Sequence, residues 1–260
     1  MRSGDTLRAI VATCAMVALC GGTPGPGVSE FACRHRASIA GLIWTECLAG
    51  SLWIIETRRE LRAFHSSRDV PTLRKRLASA PGAVLLVNGG YHDGDYARPR
   101  VEGLLRIGNR TFGALKPADL QLTHVLSIDS NGSIAEIEPA STTSLAARAA
   151  DQDQIQSGPL ILDAGSVAIN AITRSVNGAD PYKRTAIGRT RAGDTIIVVA
   201  RTPHALTELA RIVAGTNRYA ERGLTLVNLD GGPSTGIHSE TVPQLSYGAD
   251  KVTPVGFAIE

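Results

Sequence analysis

The sequence predicts an α+β fold: one domain built on a large mixed, mostly antiparallel sheet assembly, with a few helices packed on it. Three observations lead there. Short apolar runs bounded by Gly, Pro, Asn and Asp outnumber stretches with helical periodicity. Hairpin signals stand at Ser130-Asn131-Gly132 and at Arg191-Ala192-Gly193-Asp194. No regular strand–helix–strand alternation appears, which disfavours a doubly wound parallel sheet.

At 260 residues the chain can form one good-sized domain with a substantial core. A hydrophobic content of 43% with 20% charged residues fits a globular protein and not a disordered one. The net charge of +3 is small and scattered, with no run of Lys and Arg interleaved with aromatics, so nucleic-acid binding is not expected.

Residues 1–27 read as a leader and linker, and 28–260 as the domain. Arg2 and Arg8 flank a polar start, and Ala9–Cys20 is an apolar run too short to span a bilayer but sized for a signal-peptide core. Gly21–Gly27 then makes a flexible exit. Val17-Ala18-Leu19-Cys20-Gly21 resembles a bacterial lipoprotein signal, with Leu19 in place of the usual small residue. The expectation is an exported protein, periplasmic or secreted, touching membrane only through the leader or a lipid anchor at Cys20. Cys33 and Cys47 are the cysteines left to the domain. A bridge between them would close a loop worth roughly 3 kcal/mol in the chain-entropy model; the alternative is two separate buried thiols.

Ser38–Thr57 reads as a hairpin turning near Ala49-Gly50, with Leu52–Ile55 as an apolar strand. Val70–Ala80 reads as a helix with Pro71 in its first turn, Leu73 and Leu77 on one face, and Pro81-Gly82 as its stop. Ala83–Val87 is a buried strand, and Glu102–Ile107 a further one containing Gly103. His124–Asp129 and Ser133–Ile137 pair as a hairpin, Thr143–Ala150 is a short helix, and Gln154–Leu162 is one strand. Arg184–Gly188 and Thr195–Ala200 form the clearest hairpin. His204–Ala214 is a helix whose inner face carries Leu206, Leu209, Ala210 and Val213. Leu224–Leu229 and Val255–Ile259 are the last strands.

Two of these strands end alike. Leu224–Leu229 delivers Asp230, then Gly231, Gly232, Pro233 and the hydroxyls of Ser234 and Thr235; Ala83–Val87 delivers Asn88, Gly89, Gly90, Tyr91, His92 and Asp93. A buried strand that carries a carboxylate or amide to its tip, followed by glycines, suits a reaction site mounted on a rigid element. The plainer alternative is an acidic hairpin turn, which Asp-Gly also makes.

The set Asn88-Gly-Gly-Tyr91, Gln156-Ser-Gly-Pro159, Arg184-Thr-Ala-Ile-Gly188 and Asn228-Leu-Asp-Gly-Gly-Pro-Ser-Thr235 resembles the phosphodiester glycosidase family in type and order. The likeness runs from about residue 38 to the end. Pro233 departs from it where a third glycine is common. The resemblance implies hydrolysis of a sugar-1-phosphodiester at the anomeric C–O bond, giving free sugar and a phosphomonoester.

For that chemistry Arg184 is the candidate phosphate-holding cation, its guanidinium offering two parallel donors; the alternative is pairing with a surface carboxylate. Asp230 would meet the developing oxocarbenium charge. His92 and Asp93 are candidates for activating water or protonating the leaving oxygen, although a histidine after a turn is often merely exposed. Asn88, Tyr91, Ser157, Gly158, Asn228 and Ser234 would bond or line the ligand. Gly89, Gly90, Gly231 and Gly232 would leave room for it, or serve plain turns. No organic cofactor is called for, and a divalent cation on Asp93, Asp95 and Asp230 stays open. Two other function classes compete: a secreted carbohydrate- or phosphate-binding module without turnover, and a serine esterase using Ser234 in Gly232-Pro-Ser-Thr-Gly236. An esterase elbow requires a helix after the serine and a histidine last in chain order, whereas Ile237–Pro243 does not read as helical.

Overall fold

A computed structural model describes residues 32–66, 72–93, 99–141 and 152–260. The leader with Cys14 and Cys20, the helix expected at Thr143–Ala150, Val70, Pro71 and Asp95 lie outside the described residues.

In place of a single hairpin over Ser38–Thr57, the chain opens with a meander of β1 (Cys33–Ile39), β2 (Leu42–Cys47) and β3 (Leu52–Thr57). Ala40 and Gly41, at φ 51° and 75°, make the tight turn between β1 and β2, the backbone that matches strand twist. A 3-10 turn at Leu48–Gly50 makes the second. The Cys33–Cys47 disulfide joins residues directly opposite in β1 and β2. β4 (Leu61–His65), which the sequence reading missed, follows. Helix α1 (Leu73–Ala78) begins later than expected because Thr72 caps it, its hydroxyl accepting the Lys75 N–H at 3.2 Å.

β5 (Leu85–Asn88) is the strand expected at 83–87, β6 (Leu105–Ile107) occupies the end of the one expected at 102–107, and β7 (Arg110–Thr111) follows beyond it. β8 (His124–Ile128) and β9 (Ile134–Pro139) form the hairpin foreseen around Gly132. The run Gln154–Leu162 is not one strand but two, β10 (Asp153–Ser157) and β11 (Leu160–Asp163), divided at Gly158-Pro159. β12 (Ser166–Val167) and α2 (Ile169–Arg174) come next, then the expected hairpin of β13 (Tyr182–Arg189) and β14 (Thr195–His204). α3 (Leu206–Gly215), β15 (Thr225–Asn228), β16 (Ile237–His238) and β17 (Val255–Ile259) complete the described chain.

These strands make three sheets, ordered β1-β2-β3-β14-β13-β15-β11-β12, β7-β6-β10-β8-β9 and β16-β5-β17-β4. Every pairing among the described residues is antiparallel, so the sheet is not mixed as expected. The large sheet is buried on both faces, which is why β3 and β14 read as continuous apolar runs. Trp53, Ile55, Ile197 and Val199 face the two smaller sheets, meeting Leu85, Val87, Leu126, Ile155 and Phe257. Leu52, Ile54, Ile196 and Val198 face the other way, under Leu206, Leu209, Ala210 and Val213 of α3. α1 sets Leu73 and Leu77 against Phe64, Leu86 and Ala258 on the outer face of the four-stranded sheet. Truncating any of these large aliphatic side chains to Ala would cost about 2–5 kcal/mol.

Candidate active site

Loops from all three sheets meet at one place, and backbone hydrogen bonds lock them together. β10 and β11 lie in different sheets, so the chain changes layer at Ser157-Gly158-Pro159 and runs beside the tip of β15. The Gly158 N–H donates to the Asn228 carbonyl and the Asn228 N–H to the Pro159 carbonyl, both at 3.0 Å. The Asp230 N–H donates to the Gly89 carbonyl at 3.0 Å, tying the ends of β15 and β5. At this junction a pocket of about 210 Å³ opens, lined by Tyr91, Gln121, Asn177, Tyr182, Arg184, Asp230, Gly231, Gly232 and Pro233.

Arg184 supplies the pocket's cation. Near the start of β13 it is only 4% exposed. Its Nε donates to the His204 carbonyl at 3.2 Å, and one terminal nitrogen donates to the carbonyls of Asn177 and Asp180, each at 2.7 Å. Among the described residues no carboxylate pairs with it. Burial pulls its pKa below the ordinary value, partly offset by Tyr91, Tyr182 and Asp180; an arginine stays charged regardless. A buried guanidinium held by carbonyls, without a counter-charge, is poised to receive an anion.

Asp230 supplies the carboxylate. Burial raises its pKa, against the opposing effects of the Ser234 hydroxyl, His92 and the Gly231 N–H, while Glu102 adds to the rise. The Gly231 N–H donates to Oδ1 at 2.9 Å, and His92 Nε2 stands 3.6 Å from Oδ2. His92 Nδ1 lies 2.6 Å from the Asp93 carbonyl. A carbonyl only accepts, so Nδ1 is the donor and Nε2 is the nitrogen that faces the carboxylate. The imidazole is therefore enclosed beside Asp230 rather than exposed after a turn, its side chain 5% accessible.

Tyr91 lines the pocket, its hydroxyl donating to the Gly158 carbonyl at 3.0 Å and accepting from the Asn228 amide at 2.7 Å. Enclosure pushes the phenol above its ordinary range, so it is a neutral hydrogen-bonding group. Ser234, in the 3-10 turn Gly232–Ser234, sits behind Asp230 and bonds to it.

The remaining candidates face the protein. Asn88 is 1% exposed; its amide donates to the Asp230 carbonyl at 2.7 Å, and its oxygen accepts from Thr185 Oγ1 at 2.6 Å and the Gly236 N–H at 3.0 Å. Ser157 spends its hydroxyl on the Asn228 carbonyl at 2.8 Å, and the Asn228 amide also reaches the Gly158 and Leu229 carbonyls. All three are buried, and none of them is among the residues lining the pocket. Asp93 accepts the Arg100 N–H and points away from Asp230 toward Arg100.

Most of the glycines are likewise set by packing. A Cβ on Gly89 would lie 2.9 Å from Gly256 Cα, one on Gly90 2.9 Å from Ile155 Cδ1, one on Gly158 2.4 Å from the Gln121 carbonyl and one on Gly231 2.7 Å from the Lys183 carbonyl. Gly232 differs: at φ 56° it faces open space, the one of the set that leaves room at the pocket.

No helix follows Ser234; β16 does, and His238 gives its Nδ1 to Ser246 Oγ at 2.8 Å. That arrangement lacks the strand–serine–helix geometry of an esterase elbow. Among the described residues no three His, Cys, Asp or Glu side chains gather as a metal-ligand set, and Asp95 lies outside them. Gln121, Asn177 and Tyr182 line the pocket without having been foreseen. They sit on loops and a strand start without the strand-end pattern; the available hints were the Asn177-Gly178 turn signal and Tyr182, two residues before Arg184.

The family model for phosphodiester glycosidases matches residues 81–259. No curated protein matches the chain. Among solved structures, the fold is similar to the zebrafish N-acetylglucosamine-1-phosphodiester alpha-N-acetylglucosaminidase catalytic domain auto-inhibited by its pro-peptide, with 14% identity and a TM-score of 0.59 over 88% of this chain and 82% of that one. A protein from Burkholderia pseudomallei K96243 described as exported gives 12% identity and 0.52 over 85% and 75%. One from Synechocystis gives 13% and 0.51 over 85% and 62%. At such identities the likeness to solved structures speaks for the fold.

Proposed function

The chain belongs to the phosphodiester glycosidase family, and from that membership we propose that it is an exported hydrolase that cleaves a sugar-1-phosphodiester at the anomeric C–O bond. The observation that carries the proposal is the presence, in one small pocket, of a buried guanidinium without an ion-pair partner among the described residues and a separate carboxylate. Arg184 holds the phosphate through its second terminal nitrogen, the one its carbonyl partners leave free, and not through the two parallel donors expected of it, fixing the leaving group. The C–O electron pair departs onto a phosphate oxygen, which is already a weak base, so no strong general acid is required.

Asp230 faces the anomeric carbon and meets the positive charge that develops there. Water supplies the oxygen that ends on the sugar, and one of its protons leaves by way of Asp230 and His92, which share the pocket's proton-transfer role. The products are a free sugar and a phosphomonoester. Tyr91 and Gln121 give the pocket neutral hydrogen-bonding groups for hydroxyls.

Export is supported by the Cys33–Cys47 disulfide, which suits an oxidising compartment, and by the similar Burkholderia protein described as exported. The test is to incubate purified protein with a panel of sugar-1-phosphodiesters and follow phosphorus NMR together with reducing-sugar release. Phosphomonoester with free reducing sugar is expected. A sugar phosphate product would mean attack at phosphorus and would overturn the assignment; chelator treatment in parallel reads any need for a divalent cation.

A further inference from the structure

A second cleft, of about 500 Å³, opens beside the meander and is larger than the catalytic pocket. Both tryptophans of the chain lie in it, Trp44 and Trp53, edge to face with ring centroids 6.1 Å apart. The indole N–H of Trp44 is buried and has no hydrogen-bond partner among the described residues. Arg201 lies over the Trp53 ring at 4.2 Å, fixed by bonds from its Nε, at 2.7 Å, and a terminal nitrogen to the Gly50 carbonyl. Glu46 in the same cleft is paired with Arg36 at 2.5 Å, so Arg201 carries the cleft's net charge.

Cations continue from there toward the catalytic pocket. Tyr247 has Arg201 at 5.9 Å from its ring centroid, Lys183 at 5.4 Å and Lys251 at 6.0 Å. Lys183 directly precedes Arg184, and its carbonyl packs against Gly231 in the pocket wall. Arg201, Lys183 and Lys251 form no ion pair among the described residues. One phosphate of a small substrate is met by Arg184 alone. A row of unpaired cations running from that point to a roomier aromatic cleft has work to do only if more phosphates follow the first.

We propose that the Trp44–Trp53–Arg201 cleft is a second anion subsite, connected to the catalytic pocket over Lys183 and Tyr247, and that the substrate is accordingly a polymer of sugars joined by repeated phosphodiesters. This rests on the glycosidase assignment above for the chemistry but not for the binding. Calorimetric titration of the full chain with linear inorganic polyphosphate of about fifteen units and with orthophosphate tests it without turnover. Arg201→Gln is expected to weaken polyphosphate binding about tenfold, the loss of roughly one charge-assisted contact, and to leave orthophosphate binding unchanged. Lys183→Gln carries the same expectation where Arg201→Gln unsettles the fold.

Arg211→Glu, exposed on α3 and lining neither cleft, should change neither titration. Equal losses for the two probes, no loss for either variant, or an equal loss from Arg211→Glu would overturn the proposal. Product analysis on sugar phosphodiesters judges the catalytic assignment separately, since polyphosphate contains no glycosidic bond.

Discussion

Replacing Arg184 with Met separates a ligand-binding guanidinium from a structural one. The variant removes the donors to the carbonyls of His204, Asn177 and Asp180. At about 1 kcal/mol for each lost bond, the fold forfeits about 3 kcal/mol. The same change deletes a cation that is buried without a counter-charge, whose desolvation costs several kcal/mol, and Met fills the space. The two effects oppose each other, leaving a net change within about 2 kcal/mol and a shift in Tm below about 8 °C. Phosphate binding has no such compensation. Losing a charge-assisted contact of about 1.5–3 kcal/mol weakens binding about ten- to a hundredfold. Calorimetric titration with orthophosphate and with a sugar 1-phosphate reads the affinity, and scanning calorimetry reads the Tm. Phosphate binding within about threefold of the wild type would refute Arg184 as the anion site, and a fall in Tm beyond about 15 °C would mark it as a structural post.

Three other outcomes follow from the same geometry. Burial raises the pKa of Asp230 in the folded chain, so the stability linked to this group is complete below the unfolded carboxylate's pKa and is lost as pH rises through the folded value. Asp230→Asn should therefore be more stable than wild type in urea at neutral pH, with the gap closing in acid, while activity falls at least about 10³-fold; lower stability at neutral pH would contradict the account. Asn88→Ala leaves two donors and a carbonyl without their partner, costing about 3 kcal/mol or more and lowering Tm by about 10 °C, whereas a residue that only touched substrate would leave Tm unchanged. Replacing Cys33 and Cys47 together with Ser should cost about 3 kcal/mol in denaturant midpoints with turnover at 25 °C retained, because the bridge ties β1 to β2 at the sheet edge.

How far the sequence could be read depended on whether the deciding force was local. The β8–β9 and β13–β14 hairpins and the inner face of α3 were legible because turn residues and periodicity settle them within a dozen residues. The division of 154–162 into two strands was not, because both halves are apolar and the change of layer is imposed by distant partners, β8 on one side and β15 on the other. Strand-end chemistry led to Asp230 and the family resemblance to Arg184, and the two share the pocket. A polar side chain at a strand tip reads identically whether it turns toward a ligand or ties loops together, and for Asn88 and Ser157 the position of Thr185, Gly236 and the Asn228 carbonyl supplies partners within the protein. Gln121 reaches the pocket from a loop with no periodic pattern, and Asn177 from an Asn-Gly turn, which marks a loop but not its place beside a pocket.

The change of layer at Gly158-Pro159 has a thermodynamic corollary. Tyr91 comes from the four-stranded sheet, Gln121 from the loop leading into the five-stranded one, and Arg184 and Asp230 from the largest. A phosphate seated among them acts as a staple across three layers, and at a hundred times its Kd it adds about 2.7 kcal/mol against their separation. Under the proposed function, turnover would double as a gauge of assembly, failing as soon as any one layer slips from the others, well before the chain as a whole unravels.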